Sequence, residues 1–160
     1  MGQFIRIMHL NASGTTSSVR NSAANQAILY AVNNGAEVIN MSFGAPQDSP
    51  VMRTNLEQAV ASGVFLVAAV GNAGQQLTAS NLAVPASYAS AIDGFISVGA
   101  ILSDDDSLAY FSNYSSYYVE IMAPGGESLA NGIYATIPGS DPLNSYTRSF
   151  GTSMAAPVVT

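Results

Sequence analysis

Short apolar runs alternate with segments of helical spacing along most of this chain, and that alternation leaves few folds open. Phe4-Ile5-Arg6-Ile7-Met8-His9-Leu10 reads as a β-rich run, and residues 11–18, with Gly14 among them, as a polar loop. Residues 19–32 place Ala23, Ala27, Ile28 and Ala31 near a helical period, and Asn33-Asn34-Gly35 stops them. Val38-Ile39-Asn40-Met41-Ser42 reads as a short buried strand. Residues 50–61 form a second helix, with Pro50 in its first turn and Ser62-Gly63 closing it. Val64-Phe65-Leu66-Val67-Ala68-Ala69-Val70 and Phe95-Ile96-Ser97-Val98-Gly99-Ala100 are two further strands. Residues 117–122 are a fifth candidate, stopped by Ala123-Pro124-Gly125-Gly126. Strand, helix, strand, helix, strand predicts a parallel α/β sheet. Near-continuous apolar strands predict a sheet covered on both faces, so the expected class is α/β, a three-layer doubly wound mostly parallel sheet. Such sheets bind ligands beyond the carboxyl ends of their strands. Ser42-Phe43-Gly44 and Gly71-Asn72 stand at two such ends and are expected to share one cleft.

Composition narrows the function. Apolar residues make up 48% and charged residues 9% of the chain, against roughly 25% charged in a typical globular domain. That imbalance suits the interior of something larger. The net charge is −6, with four Arg and no Lys, so no basic patch is available for nucleic acid or an anionic membrane. The longest apolar run, at Val64 to Val70, is far short of the ~20 residues that span a bilayer. With no cysteine, neither a disulfide framework nor a thiolate metal site is expected. Gly2 and Gln3 lead directly into a strand-like run without a signal peptide, so Met1 is expected to be internal or the start of a partial sequence.

Chemistry concentrates in Phe150-Gly151-Thr152-Ser153-Met154-Ala155-Ala156-Pro157. A serine among small residues, before an Ala-rich stretch, sits exposed at a helix start, where free N–H groups face a developing negative charge. Read alone, Gly-Thr-Ser is equally a hydroxyl-capped helix start. Asn72 alone is ordinary turn chemistry, although its amide is a neutral donor with two N–H groups held by a Gly-flanked turn.

Three segments fall in a fixed order: Val38-Ile39-Asn40-Met41-Ser42-Phe43-Gly44, Val67-Ala68-Ala69-Val70-Gly71-Asn72-Ala73-Gly74, and Gly151-Thr152-Ser153-Met154-Ala155-Ala156-Pro157. Together they resemble the subtilisin-like serine proteases, the subtilases. Val84-Pro85-Ala86-Ser87-Tyr88, Tyr110-Phe111-Ser112-Asn113-Tyr114 and Ile121-Met122-Ala123-Pro124-Gly125 add connecting matches. The resemblance implies an incomplete subtilisin-like fold and a serine endopeptidase that forms an acyl-enzyme. In it Ser153 is the nucleophile, and its N–H joins Asn72 in the oxyanion hole. Ser42, Phe43, Gly44, Ala69, Val70 and Gly71 form substrate-binding walls that pair with an extended peptide. The implied partner is a peptide or protein substrate, and secretion is the family-level expectation. No cofactor is required for the chemistry and no metal ligand is assigned. Structural Ca²⁺ is allowed in the intact protein, and carbonyls of residues 83–89 are a weak candidate site for Ca²⁺ or Na⁺. Val84-Pro85 could be cis, as its family equivalent often is.

The triad order Asp, His, Ser is where the pattern breaks. Both partners belong to family segments upstream of Phe4. His9 lies inside the expected strand, without the His-Gly-Thr surroundings of a subtilase base, and is read as non-catalytic. Asp104-Asp105-Asp106 and Asp141 are read as loop residues. Residues 1–160 are therefore expected to be a partial peptidase domain that lacks its Asp/His portion and the end of the helix after Ser153. Residues around 126–146 are expected to form a surface insertion. The alternatives are a peptide-binding or structural module derived from a protease, and, more remotely, an esterase, which lacks its Gly-x-Ser-x-Gly elbow.

Overall fold

The computed structural model describes residues 5–13, 18–102, 106–137 and 145–160. Its elements run in the order α1 (Asn21–Asn33), β1 (Val38–Met41), α2 (Pro50–Ala61), β2 (Phe65–Ala69), a 3-10 helix (Ala86–Ala91), β3 (Phe95–Ile101), β4 (Ile121–Pro124), β5 (Ile133–Thr136), β6 (Tyr146–Ser149) and α3 (Thr152–Val159). Strands β1 to β4 form one sheet in that spatial order, and every neighbouring pair is parallel. β5 and β6 form a separate antiparallel pair.

The two faces of the sheet carry two cores because successive strand residues point to opposite sides. Leu66, Ala68 and Val70 face α1 and α2, packing with Ile28, Met52, Leu56 and Ala59. Val67 and Ala69, with Val98 and Ala100, face the other way onto Ala155 and Ala156 of α3. The Ala-rich start of α3 thus has a packing reason: small side chains on helix and strands let it lie close over β2 and β3. Helices on both faces of a parallel sheet are the architecture that the alternating pattern predicts.

Four expectations change in detail. Residues 5–10 make no strand: Ile5 is 67% and Ile7 90% exposed, because among the described residues no strand lies beside them to take their backbone bonds. β1 is not buried throughout; only Met41 is, since β1 is the edge of the sheet. β4 starts later and includes Ala123 and Pro124. The Ser115 hydroxyl accepts from the amides of Tyr117 (3.2 Å) and Tyr118 (3.2 Å), which holds those residues in a turn. Pro124 is tolerated because it closes an edge strand, where a missing N–H leaves no ladder bond unmade. The expected insertion holds the β5–β6 pair, on which Tyr134 and Tyr146 stack with ring centroids 5.3 Å apart. Gly14, Asp104, Asp105 and Asp141 lie outside the described residues; Asp106 is exposed. Val84-Pro85 is cis.

α2 begins where its sequence says, with Pro50 at the first helical position and the Ser49 hydroxyl accepting from Met52 N–H at 3.4 Å. The loop before it is fastened to the 3-10 helix. Ser49 N–H donates to the Tyr88 phenol oxygen at 2.8 Å, and that phenol donates to Asp48 Oδ1 at 2.5 Å. Burial, then the hydrogen bond to Asp48, pushes Tyr88 up to about 12. The folded protein therefore holds this proton more tightly than the unfolded chain, whose tyrosines titrate near 10. The stabilisation is complete below pH 10 and is lost as pH rises through the folded value. Denaturant unfolding should show stability falling between pH 10 and about 12, and Tyr88→Phe should flatten that slope.

Candidate active site

The cleft is assembled at the carboxyl ends of β1 and β2 and the amino end of α3. Gly151 is the residue before α3 and adopts φ +138, a backbone region that favours glycine. A side chain there would also come within 3.1 Å of Asn72 Nδ2. Thr152 follows, completely buried. Its amide N–H (2.8 Å) and its hydroxyl (2.9 Å) both donate to Asn72 Oδ1. The same hydroxyl accepts from Gly71 N–H at 3.1 Å.

Two donors on one oxygen decide which way the Asn72 carboxamide faces. Oδ1 is turned to α3, which leaves Nδ2 turned away from it. Among the described residues no acceptor meets Nδ2, and the Ser153 N–H, in the first turn of α3, has no partner within the helix. Two N–H donors without a protein acceptor among the described residues, one from a side chain and one from a helix N-terminus, therefore belong to two residues of the same cleft, Asn72 and Ser153.

Ser153 itself is half-buried. Its hydroxyl donates to the Ser42 carbonyl at 3.1 Å, and the Ser42 hydroxyl donates back to the Ser153 carbonyl at 2.9 Å. Asn40 Nδ2 donates to the Ser42 hydroxyl at 3.0 Å, so the end of β1 holds the first turn of α3. Among the described residues no histidine or carboxylate bonds Ser153 Oγ. His9 is exposed, on the segment that forms no strand.

Beside these groups runs a cavity of ≈ 430 Å³. Phe43, Gly44, Ala45 and Pro46 line one side; Ala69, Gly71, Asn72, Ala73 and Gln75 line another; Leu77, Asn81, Leu82 and Ala83 a third; Asn113, Thr152 and Ser153 complete it, and no ionisable side chain lines it. The wall and the far segment are joined by main chain alone. Ala45 N–H donates to the Val84 carbonyl at 2.9 Å, and Val84 N–H returns to the Ala45 carbonyl at 2.8 Å.

Of the residues singled out from sequence, Ser153, Asn72, Phe43, Gly44, Ala69 and Gly71 come together around this cavity. Ser42 adjoins it through its bonds to Ser153. Val70, expected as a wall residue, does not line the cavity, because its side chain is fully buried in the opposite core. Among the described residues no group of three or more His, Cys, Asp or Glu side chains could hold a metal ion. The carbonyls of Ala83, Pro85 and Ala89 accept the N–H groups of Ser87, Tyr88 and Ile92. What sequence reasoning missed is Thr152. Its signal was a β-branched hydroxyl residue, placed directly before the serine, where a smaller cap would have sufficed for the helix.

The sequence pattern of the subtilase family matches residues 4–160. The chain belongs to the subtilase family. As a subtilase it is 37% identical to subtilisin DY of Bacillus licheniformis over 97% of its length, which is 49% of that protein. It is also 37% identical to alkaline elastase YaB of Bacillus sp. (strain YaB), covering 35% of it. Among solved structures, the prenylagaramide maturation protease PagA superposes with a TM-score of 0.70 at 31% identity, covering 89% of this chain and 47% of that one. The chain thus spans less than half the length of these relatives. Subtilisin-like α/β architecture is shared across them.

Thr152→Val keeps the shape of this buried residue but removes the hydroxyl on which Gly71 N–H and Asn72 Oδ1 depend. Denaturant unfolding should show a loss of about 1–3 kcal/mol, and Thr152→Ser should recover most of it.

Proposed function

We propose that this chain carries the nucleophile and the oxyanion hole of a serine endopeptidase. The observation that supports this most is the pair of donors without a protein acceptor among the described residues, Asn72 Nδ2 and Ser153 N–H, on two residues that line one cavity free of ionisable side chains. In this reading an extended peptide lies along residues 42–44 and 69–71 and pairs with their backbone, as an added strand does. Ser153 Oγ attacks the scissile carbonyl carbon while its proton passes to a histidine base, which an aspartate orients. The carbonyl oxygen becomes an oxyanion and takes both donors, which are already aimed and need no reorganisation. Collapse expels the amine with the histidine's proton. Water then hydrolyses the ester on Ser153.

The base is proposed to come from outside these 160 residues, from the Asp/His portion of the same domain. Two observations support that: Ser153 Oγ bonds a main-chain carbonyl, and the chain spans less than half of its relatives. Alone, the chain should be inert, because an unassisted serine hydroxyl is not activated at neutral pH. No cofactor enters this chemistry. Action outside the cytoplasm belongs to the same proposal, and among the described residues no helix is long and apolar enough to cross a membrane.

A fluorophosphonate probe tests this. The 160-residue chain should stay unlabelled, the protein supplied with the Asp/His portion should be labelled, and Ser153→Ala should abolish the label. Labelling of the chain alone would sink the claim that it lacks its base. No labelling of the completed protein would leave a peptide-binding module instead. In the labelled protein, Asn72→Ala should lower kcat by about 100- to 1,000-fold, a magnitude taken from a subtilisin.

A further inference from the structure

Asn113 sits 40 residues beyond the Asn72 turn in sequence and is buried, at 7% exposure, against it. Its side-chain capacity is spent on one loop. Nδ2 donates to the Val70 carbonyl at 2.8 Å. Oδ1 accepts from Ala73 N–H at 3.2 Å and from Gln75 N–H at 3.0 Å. Its own N–H donates to the Gly71 carbonyl at 3.0 Å. Residues 70, 71, 73 and 75 are therefore all tied to one residue, with Asn72 at the centre of the wrap. Gly71, at φ +94, permits the closeness: a side chain there would meet Asn113 Nδ2 at 2.8 Å.

The anchor is itself anchored. The Ser112 hydroxyl donates to the Asn113 carbonyl at 2.9 Å and accepts from Ala100 N–H of β3 at 2.9 Å. A path of hydrogen bonds thus runs from the middle of the sheet to the loop that presents Asn72. The job selects the residue type. The site needs one donor and one oxygen that accepts twice, on a short stem. Aspartate lacks the donor, serine is too short, and glutamine is too long.

We propose that Asn113 is a positioning residue that sets where Asn72 Nδ2 points, and so tunes the oxyanion hole through the loop that it wraps. This rests on the oxyanion role proposed for Asn72. Without the Asn113 side chain the loop keeps Thr152 as its hold on Asn72, and the Val70 N–H keeps its bond to the Val98 carbonyl of β3, but the three side-chain bonds that wrap residues 70, 73 and 75 are lost.

The test combines two measurements, made in the protein supplied with its Asp/His portion, on Asn113→Ala, on the near-isosteric Asn113→Asp in case the first folds poorly, and on Asn72→Ala. Neither measurement requires turnover. Amide exchange at Ala73, Gln75 and Thr152 should quicken by about tenfold or more in Asn113→Ala, and by less at Ala73 and Gln75 in Asn113→Asp, which keeps the accepting oxygen, while the β2–β3 ladder keeps its protection. A peptide boronic acid forms a bond from Ser153 Oγ to boron, releasing the hydroxyl proton to water and placing a boron hydroxyl in the oxyanion position. Its affinity should fall about tenfold in the Asn113 variants, while the matching peptide carboxamide, which forms no bond to Ser153 Oγ, should lose far less. Exchange that quickens everywhere would reduce Asn113 to a fold residue and overturn the inference. So would boronate affinity that Asn72→Ala lowers and the Asn113 variants do not. Boronate affinity indifferent to Asn72→Ala itself would remove the oxyanion reading, and this inference with it.

Discussion

Two hydrogen bonds converge on Asn72 Oδ1, from the amide and the hydroxyl of Thr152, and the rest of the site is arranged around that junction. They join the loop after β2 to the start of α3, elements separated by 80 residues of chain. A carboxamide has one acceptor end and one donor end. Fastening the acceptor end to the helix commits the donor end to the cleft. Were the carboxamide turned over, Thr152 would face an N–H with its own N–H, inside a region where Thr152 has no water to turn to. Burial therefore does more here than fill space: it makes the wrong orientation expensive.

That junction forms only if α3 can approach β2 closely enough. The packing of Ala155 and Ala156 against Val67, Ala69, Val98 and Ala100 makes the approach short. On the other face, larger side chains such as Met52, Leu56 and Ile28 fill the wider space beneath α1 and α2. The two cores are thus matched to different tasks, one to bulk burial and one to bringing a helix terminus up to the ends of β1 and β2. The reciprocal bonds between Ser42 and Ser153 then fix the remaining edge of that terminus.

Much of this was readable from the residues. The helix at Pro50–Ala61 carries both its signals locally, a proline at the start and Ser-Gly at the end, and it forms with those bounds. β2 and β3 were legible because strands buried on both faces are continuously apolar. The run at residues 4–10 is also rich in apolar residues, though Arg6 and His9 interrupt it, but composition cannot supply a neighbouring strand, and the described part of it stays outside any ladder. β4 was misplaced because Tyr117 and Tyr118 have high strand propensity, while Ser115 folds them into a turn through its own hydroxyl. Around the site, Ser153 and Asn72 were legible from their motifs. The partners that orient Asn72 were not, because Thr152 and Asn113 read as unremarkable polar residues until folding brings them to the same turn.

The antiparallel bridge between Ala45 and Val84 has a consequence for how such a cleft can change. Its two hydrogen bonds are made by peptide groups, which are the same whatever side chains flank them. The frame of the cavity is in this respect separate from its upholstery. Phe43 and Leu82, which are only partly buried, can be exchanged for larger or smaller apolar residues while the walls that carry them stay where the main chain has put them; Leu77 belongs to the core and has no such freedom. A pocket built this way can be re-tailored one residue at a time without rebuilding the scaffold that aims the serine.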